Sequence, residues 1–548
     1  MRTFLLFFFS LVLTNPSFGQ ANKLSYRFSY DTLTTTLSVQ LQMTGTDSGK
    51  TYIQLPDRWA NQKELFKALQ HIHVTTKGAT LHTTADSSVN YILHKPNEKL
   101  HITYTLKQDW KGKLSYPKNY RAITQSQYIQ STGYALFVLP KKELSDIIAV
   151  ELDWSGFPKS WSIANSLHAK SRKFKGHLTM GDFQNSFYTA GDFRLYPIKV
   201  SNKPVYVAIR GNSWKFQDTA LVNKISKIIS MQRSFWNDHS EPYYFVSLIP
   251  FDGEGSYNGS ALHQSFMLAM STEFTIDNYL YSLLTHEYFH RWNGIGFSLK
   301  TQTTQEDAWF KEGFTEYYTY KLLRRSGLIS LSDYIDATNR TIAEYYLSPV
   351  RNESQASLGK NFWNTRDFQQ VAYKKGFTYA LYIDHTIQTA SNNHYSLDNV
   401  MHDLYEAHKK KQVLTDSFFL ELVKKYSEKD LAALHKEYIV TGKTIPVIPE
   451  SLGAGVENTI KQMGVFELGF DLDASLSAKK IIGIKEDSEA WKAGLRNEQK
   501  LVGHSIYFDM PNKPAEISIE ENGTVKKVTY LPMANYKIDV PQFSLKQP

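Results

Sequence analysis

The chain of 548 residues contains no cysteine. That excludes a disulfide framework and thiolate ligation of a metal, and it leaves no thiol near the N-terminus to carry a lipid. Beyond the first twenty residues, no apolar run is long enough to span a bilayer. A dominant charge is lacking too: 62 Lys and Arg face 53 Asp and Glu, and the net +9 is spread along the chain. A nucleic-acid binder gathers its basic residues on a stripe or tail. The runs here, such as Lys409-Lys410-Lys411, read as solvated helix surface, so no nucleic-acid partner is expected. Internal repeats and low-complexity tracts are also missing, which excludes a solenoid.

The N-terminus opens Met1-Arg2-Thr3, continues through an apolar stretch over 4–13 and reaches the small residues Ser17 and Gly19. This reads as a secretory signal peptide, residues 1–19, cut before Gln20. Export without disulfides points to a periplasm or a bacterial exterior, with no membrane association once the signal is removed. The remaining length suggests about three or four domains at roughly 100–200 residues each.

Alternating apolar residues (Tyr26, Phe28, Tyr30; Leu37, Val39, Leu41; Leu100, Ile102, Tyr104) predict antiparallel strands and a β-rich domain over 20–195. Over 196–306 the pattern mixes strands at 204–210 and 243–250 with helices at 220–236 and 276–292. Helical periods at 309–325, 331–346 and 377–389 predict an all-α subdomain over 307–445. Two prolines and two glycines within 444–455 mark a boundary before a last domain at 456–545. The fold class is therefore α+β and multidomain.

The chemistry is concentrated in His286-Glu287-Tyr288-Phe289-His290 and Trp309-Phe310-Lys311-Glu312-Gly313-Phe314. Residues four apart share a helix face, about 5–6 Å between Cβ atoms, so two imidazoles can converge on one Zn²⁺ with Glu287 beside them as general base. Glu312, opening a second helix, supplies the third ligand, and two histidines, a carboxylate and a water make an open, catalytic site. Glu316, one turn on, faces the same side and can accept the outer N–H of a zinc histidine. Gly313, costly inside a helix, indicates close backbone approach.

With His286-Glu287-x-x-His290, Trp292-Asn293 and Glu312-Gly313-Phe314-Thr315 in this order, the chain resembles the glycyl aminopeptidase family of gluzincin zinc peptidases. The resemblance implies a thermolysin-like catalytic unit with an α-helical subdomain, one Zn²⁺ held by His286, His290 and Glu312, and Glu287 as base. Tyr373-Lys374-Lys375-Gly376 resembles the Tyr-x-Lys-Gly element of gluzincin aminopeptidases, which makes Tyr373 the donor to the tetrahedral oxyanion. Residues 486–495, ending Ala493-Gly494-Leu495, resemble the small helix and turn of a PDZ domain, with Leu468-Gly469-Phe470 at its carboxylate loop and no Gly-Asp following at Arg496-Asn497.

The resemblance also implies a substrate-binding segment at Gly259-Ser260-Ala261-Leu262-His263, leading into a strand over 261–269 beside the metal. Leu262 stands where the family carries a glutamate for the substrate's α-amine, so an acid such as Glu254 would have to replace it for strict aminopeptidase action. Backbone pairing along such a strand binds extended peptides without an amine anchor, so endopeptidase action is equally open. Gly294-Ile295-Gly296-Phe297 departs from the basic loop usual in the family. The expected partner is a peptide or protein substrate. The alternatives are a zinc hydrolase of a non-peptide bond and a non-catalytic peptide-binding protein with a structural zinc. Substrate side chain and oligomeric state leave no pattern in the sequence.

Overall fold

A computed structural model describes residues 23–167, 171–253, 257–303 and 305–546. The segment read as a signal peptide and the acid Glu254 lie outside the described residues. The chain forms two compact units, the first comprising residues to Ser230 with Asp238–Ile276, the second Met231–Asn237 with Asp277 onward. It is a mixed α/β, multidomain fold with a β-rich N-terminal region and a helical C-terminal part.

In the first unit, period-two alternation becomes sheet. Lys23–Asp31 buries Leu24, Tyr26, Phe28 and Tyr30 on one face and pairs with Thr36–Thr44 in a six-stranded sheet. The inward aromatic residues interlock, with Phe28 stacked on Trp154 at 3.8 Å between centroids, and the Tyr26 hydroxyl donates to the Val138 carbonyl at 2.7 Å. A second, five-stranded sheet runs in the spatial order Arg194–Val200, Lys203–Ile209, Tyr244–Pro250, Ser265–Met270, Tyr257–Leu262. Its three middle strands are parallel, and Tyr244–Pro250 is buried along nearly its whole length, as central parallel strands are.

The single strand expected over 261–269 is instead a hairpin, with Leu262 paired to Ser265 around a His263-Gln264 turn in which Gln264 takes φ +47°. The sequence concealed it because the apolar pattern runs through the turn. His263-Gln264 also lacks the Gly, Asn or Asp that signals a two-residue loop.

The second unit is built on helices. The histidine helix, Asn278–Phe289, is capped by Asp277, whose carboxylate accepts from the Tyr279 and Leu280 amides at 3.1 Å each. A π-helical stretch, Trp309–Phe314, leads into Thr315–Arg325 to form the glutamate helix. Leu331–Leu347 follows, and then the tyrosine helix, Arg366–Ala390. The latter begins well before the expected 377 and so takes in Tyr373. Near the C-terminus, Val456–Phe466 and Met533–Leu545 form an antiparallel ribbon against Leu331–Leu347. The Asn339 amide fastens it there, donating to the Phe543 carbonyl at 2.8 Å and accepting from the Phe543 amide at 2.7 Å. A three-stranded sheet and two short helices around Phe470, Ile481, Leu495, Ile517 and Val528 complete the unit.

The glutamate and tyrosine helices touch backbone to backbone. A Cβ on Gly313 would overlap the Cα of Gly376 and stand 2.6 Å from its carbonyl carbon and 2.8 Å from the Phe377 amide nitrogen. A Cβ on Gly376 would in turn overlap the Trp309 carbonyl oxygen. Gly313→Ala gains about 1 kcal/mol of helix propensity, yet the obstructing atoms are main chain and cannot rotate away. The net result is an expected loss of about 1–3 kcal/mol, the usual cost of overpacking. Denaturant titration of the variant measures it, and stabilisation would show that the helices separate freely.

Candidate metal centre

The last turn of the histidine helix carries His286 and Glu287, with His290 as its C-cap residue. The His290 amide still bonds to the His286 carbonyl at 3.3 Å, so the four-residue spacing survives the helix end. Regular helix stops at Phe289, three residues short of the expected 292, because Gly294 takes φ +102° and folds the chain back, its amide donating to the Phe297 carbonyl at 2.7 Å.

Three ligand atoms converge. His286 Nε2 and His290 Nε2 are 3.1 Å apart, and Glu312 Oε2 lies 3.4 Å from the first and 3.3 Å from the second. Among the described residues this is the one cluster of three or more His, Cys, Asp or Glu side chains spaced for a metal ion. Tetrahedral zinc with bonds near 2.0–2.1 Å has ligand-to-ligand edges of about 3.3 Å, so the triangle matches one face of such a tetrahedron.

The outer ring atoms agree with that fit. His286 Nδ1 lies 3.1 Å from Glu316 Oε2, and His290 Nδ1 lies 3.0 Å from the Asn293 carbonyl oxygen. Both partners accept only, so each Nδ1 carries the hydrogen and each Nε2 presents a lone pair. Two lone pairs and a carboxylate oxygen aimed at one point suit a cation. The electrostatics are correspondingly strong. Burial opposes a charged His286, but hydrogen bonds to Glu312 and Glu316 outweigh it and raise its pKa to about 10. Burial likewise opposes an ionised Glu316, yet Lys374 and His286 hold its pKa down at about 2. Glu312 is kept well below the usual carboxylate range by His290 and His286, again against burial. A bound divalent cation takes over the positive charge those imidazoles otherwise acquire with protons.

Tyr373 lies alongside, its ring nearly parallel to His286 at 5.9 Å and 13°. Burial, then the charges of Glu312 and Glu287, push its phenol well above the ordinary value, so it is a proton-bearing donor at neutral pH. Glu287 is near enough for its charge to act on both Tyr373 and His290. Glu287, Tyr373, His286, His290, Glu312 and Glu316 are thus gathered in the second unit.

The segment Gly259-Ser260-Ala261-Leu262-His263 belongs to the first unit. Leu262 is 4% exposed there, in an apolar cluster with Ile123, Tyr128, Phe245 and Met267. Phe266 occupies the space a side chain on Gly259 would need, and His263 Nδ1 pairs with Asp182 at 3.0 Å.

Sequence reasoning read Asn293 only as a stop signal and motif residue. Its fully buried side chain donates to the Phe310 carbonyl at 3.0 Å, the Lys311 carbonyl at 3.2 Å and Thr315 Oγ1 at 3.1 Å, while its own carbonyl meets His290. One residue therefore orients a histidine and grips the helix that carries Glu312.

Residues 279–379 match the M61 glycyl aminopeptidase family. That stretch runs from the first turn of the histidine helix past Gly376, so every residue of the centre lies inside the M61 match. No curated protein matches the chain. Among solved structures, an aminopeptidase N family protein from Idiomarina loihiensis superposes with a TM-score of 0.72 at 16% identity, over 96% of this chain and 98% of that one. Native yeast LTA4 hydrolase gives a TM-score of 0.48 at 14% identity, over 78% and 69%. The first of these likenesses shows the fold. The M61 match over residues 279–379 supports a peptidase.

Asn293→Ala removes the grip on the glutamate helix while leaving the carbonyl that faces His290. Zinc affinity, measured by chelator competition, is expected to fall about tenfold, the lower end of the effect of outer-shell partners. Wild-type affinity would mean that packing alone fixes the two helices.

Proposed function

We propose that this chain is a zinc metallopeptidase of the gluzincin type that hydrolyses peptide bonds by activated water. The observation that carries the reading is the triangle of His286 Nε2, His290 Nε2 and Glu312 Oε2 with Glu287 and Tyr373 at its edge, inside the stretch that matches M61. Zn²⁺ bound there supplies a Lewis acid that makes water a nucleophile near neutral pH and polarises the scissile carbonyl. Glu287 takes the proton of the attacking water and returns it to the leaving amine. Tyr373, kept protonated, donates to the oxygen on which negative charge develops. Glu316 and the Asn293 carbonyl hold the imidazoles in the tautomer that leaves Nε2 free.

The signal-like N-terminus and the lack of cysteine support action in a periplasm or outside the cell. Residues 456–545 are taken as a PDZ-like domain on the strength of Ala493-Gly494-Leu495 and Leu468-Gly469-Phe470. Aminopeptidase and endopeptidase action are both kept open, because the family's glutamate position is held by Leu262, which is buried in an apolar cluster. Free and N-acetylated forms of one peptide separate the two modes: equal rates assign endopeptidase action, and loss on acetylation assigns aminopeptidase action.

Glu287→Gln is expected to bind zinc normally and lose about 10²–10⁴-fold in turnover, the range of general acid–base catalysis. Near-wild-type turnover would remove Glu287 as the base. Tyr373→Phe is expected to lower kcat about 10²–10³-fold with metal content unchanged, as for loss of one oxyanion donor. Both are read by peptide hydrolysis beside metal analysis.

A further inference from the structure

Three consecutive residues of the tyrosine helix serve three different partners, as the roughly 100° turn per residue requires. Tyr373 stacks on His286. Lys375, 1% exposed, donates to the Glu353 carbonyl at 3.2 Å. Lys374 runs between two carboxylates, its Nζ 3.1 Å from Glu344 Oε2 and 3.8 Å from Glu316 Oε1, with 13% of its side chain exposed.

Glu316 has one oxygen toward each side. Oε2 meets His286 Nδ1 at 3.1 Å, and Oε1 faces Lys374. Glu344 comes from Leu331–Leu347, so the ion pair ties that helix to the tyrosine helix at the back of the site. The same helix brings Arg340, whose guanidinium donates to the Tyr320 hydroxyl at 3.4 Å. Lys374 is the cation that meets the second oxygen of Glu316, the oxygen turned away from His286, and the charge of Arg340 acts on the same carboxylate. An exposed ion pair of this kind contributes little. This one is largely shielded from water, and its anionic neighbour reaches the imidazole directly.

We propose that Lys374, anchored by Glu344, is a positioning residue that orients Glu316 against His286 and thereby sets the affinity of the metal centre. The proposal rests on the zinc-site reading above. It assigns a role to a layer behind the imidazole's own partner, and to a lysine that touches neither ligand nor substrate.

The test is zinc affinity of the full chain, by competition with a chromophoric chelator, for wild type, Lys374→Met, Lys374→Arg and Glu344→Gln, each with the thermal midpoint of the metal-free form. Met keeps the length and packing of the lysine stem. Lys374→Met is expected to weaken zinc binding at least about tenfold, as loss of an orienting partner does, with the metal-free midpoint close to wild type. Lys374→Arg is expected to stay near wild type and Glu344→Gln to fall between. Wild-type affinity in Lys374→Met overturns the positioning role alone, and so does a lowered midpoint with unchanged affinity, which would mark the pair as purely structural. Wild-type protein that takes up no zinc overturns both this role and the metallopeptidase reading.

Discussion

Two helices meeting without a side chain between them is the constraint on which the centre depends. Gly313 follows Glu312 directly, and Gly376 lies one turn beyond Tyr373. The backbone contact at these glycines therefore brings a carboxylate and a phenol to the same imidazole. Glycine inside a helix costs about 1 kcal/mol relative to alanine. Here the missing methyl groups are the means of approach, and the Trp309 carbonyl that Gly376 packs against belongs to the π-helical stretch holding Glu312. Such widened turns are frequent at functional sites because they alter the direction of the residues they carry.

Charge organises what packing brings together. Imidazoles and a lysine alternate with carboxylates from His290 through Glu312, His286, Glu316 and Lys374 to Glu344. Lys374 has both Glu316 and Glu344 within 4 Å, the pairing that partly buried ionised groups need. Asn293 joins this network to the backbone, using its carbonyl on one helix and its amide on the next.

What could be read in advance follows from the range of each interaction. The histidine helix, Glu312 and the close approach at Gly313 were legible because each leaves a local mark: a four-residue spacing, a second motif, a glycine where helix formers belong. The N-terminal strands were legible from the alternation of Tyr26, Phe28 and Tyr30. The start of the tyrosine helix was not, since Arg366, Asp367, Gln369, Gln370, Lys374 and Lys375 interrupt the apolar period and Gly376 reads as a break; that glycine is explained only by a neighbour far away in sequence. The hairpin turn at His263-Gln264 carries no turn chemistry of its own. Asn293 gave a correct local signal, the end of a helix, and concealed a tertiary one, because nothing near it in sequence shows that its amide reaches Phe310 and Lys311.

The Asn293 grip and the glycine contact have a bearing on how far the arrangement of the centre would depend on an ion. The first joins the glutamate helix to the chain beside His290, the second joins it to the tyrosine helix, and neither contact needs a cation. Small zinc modules depend on the ion to fold at all. An ion bound at this centre would therefore meet segments already fastened to each other, adding to a standing arrangement rather than creating one.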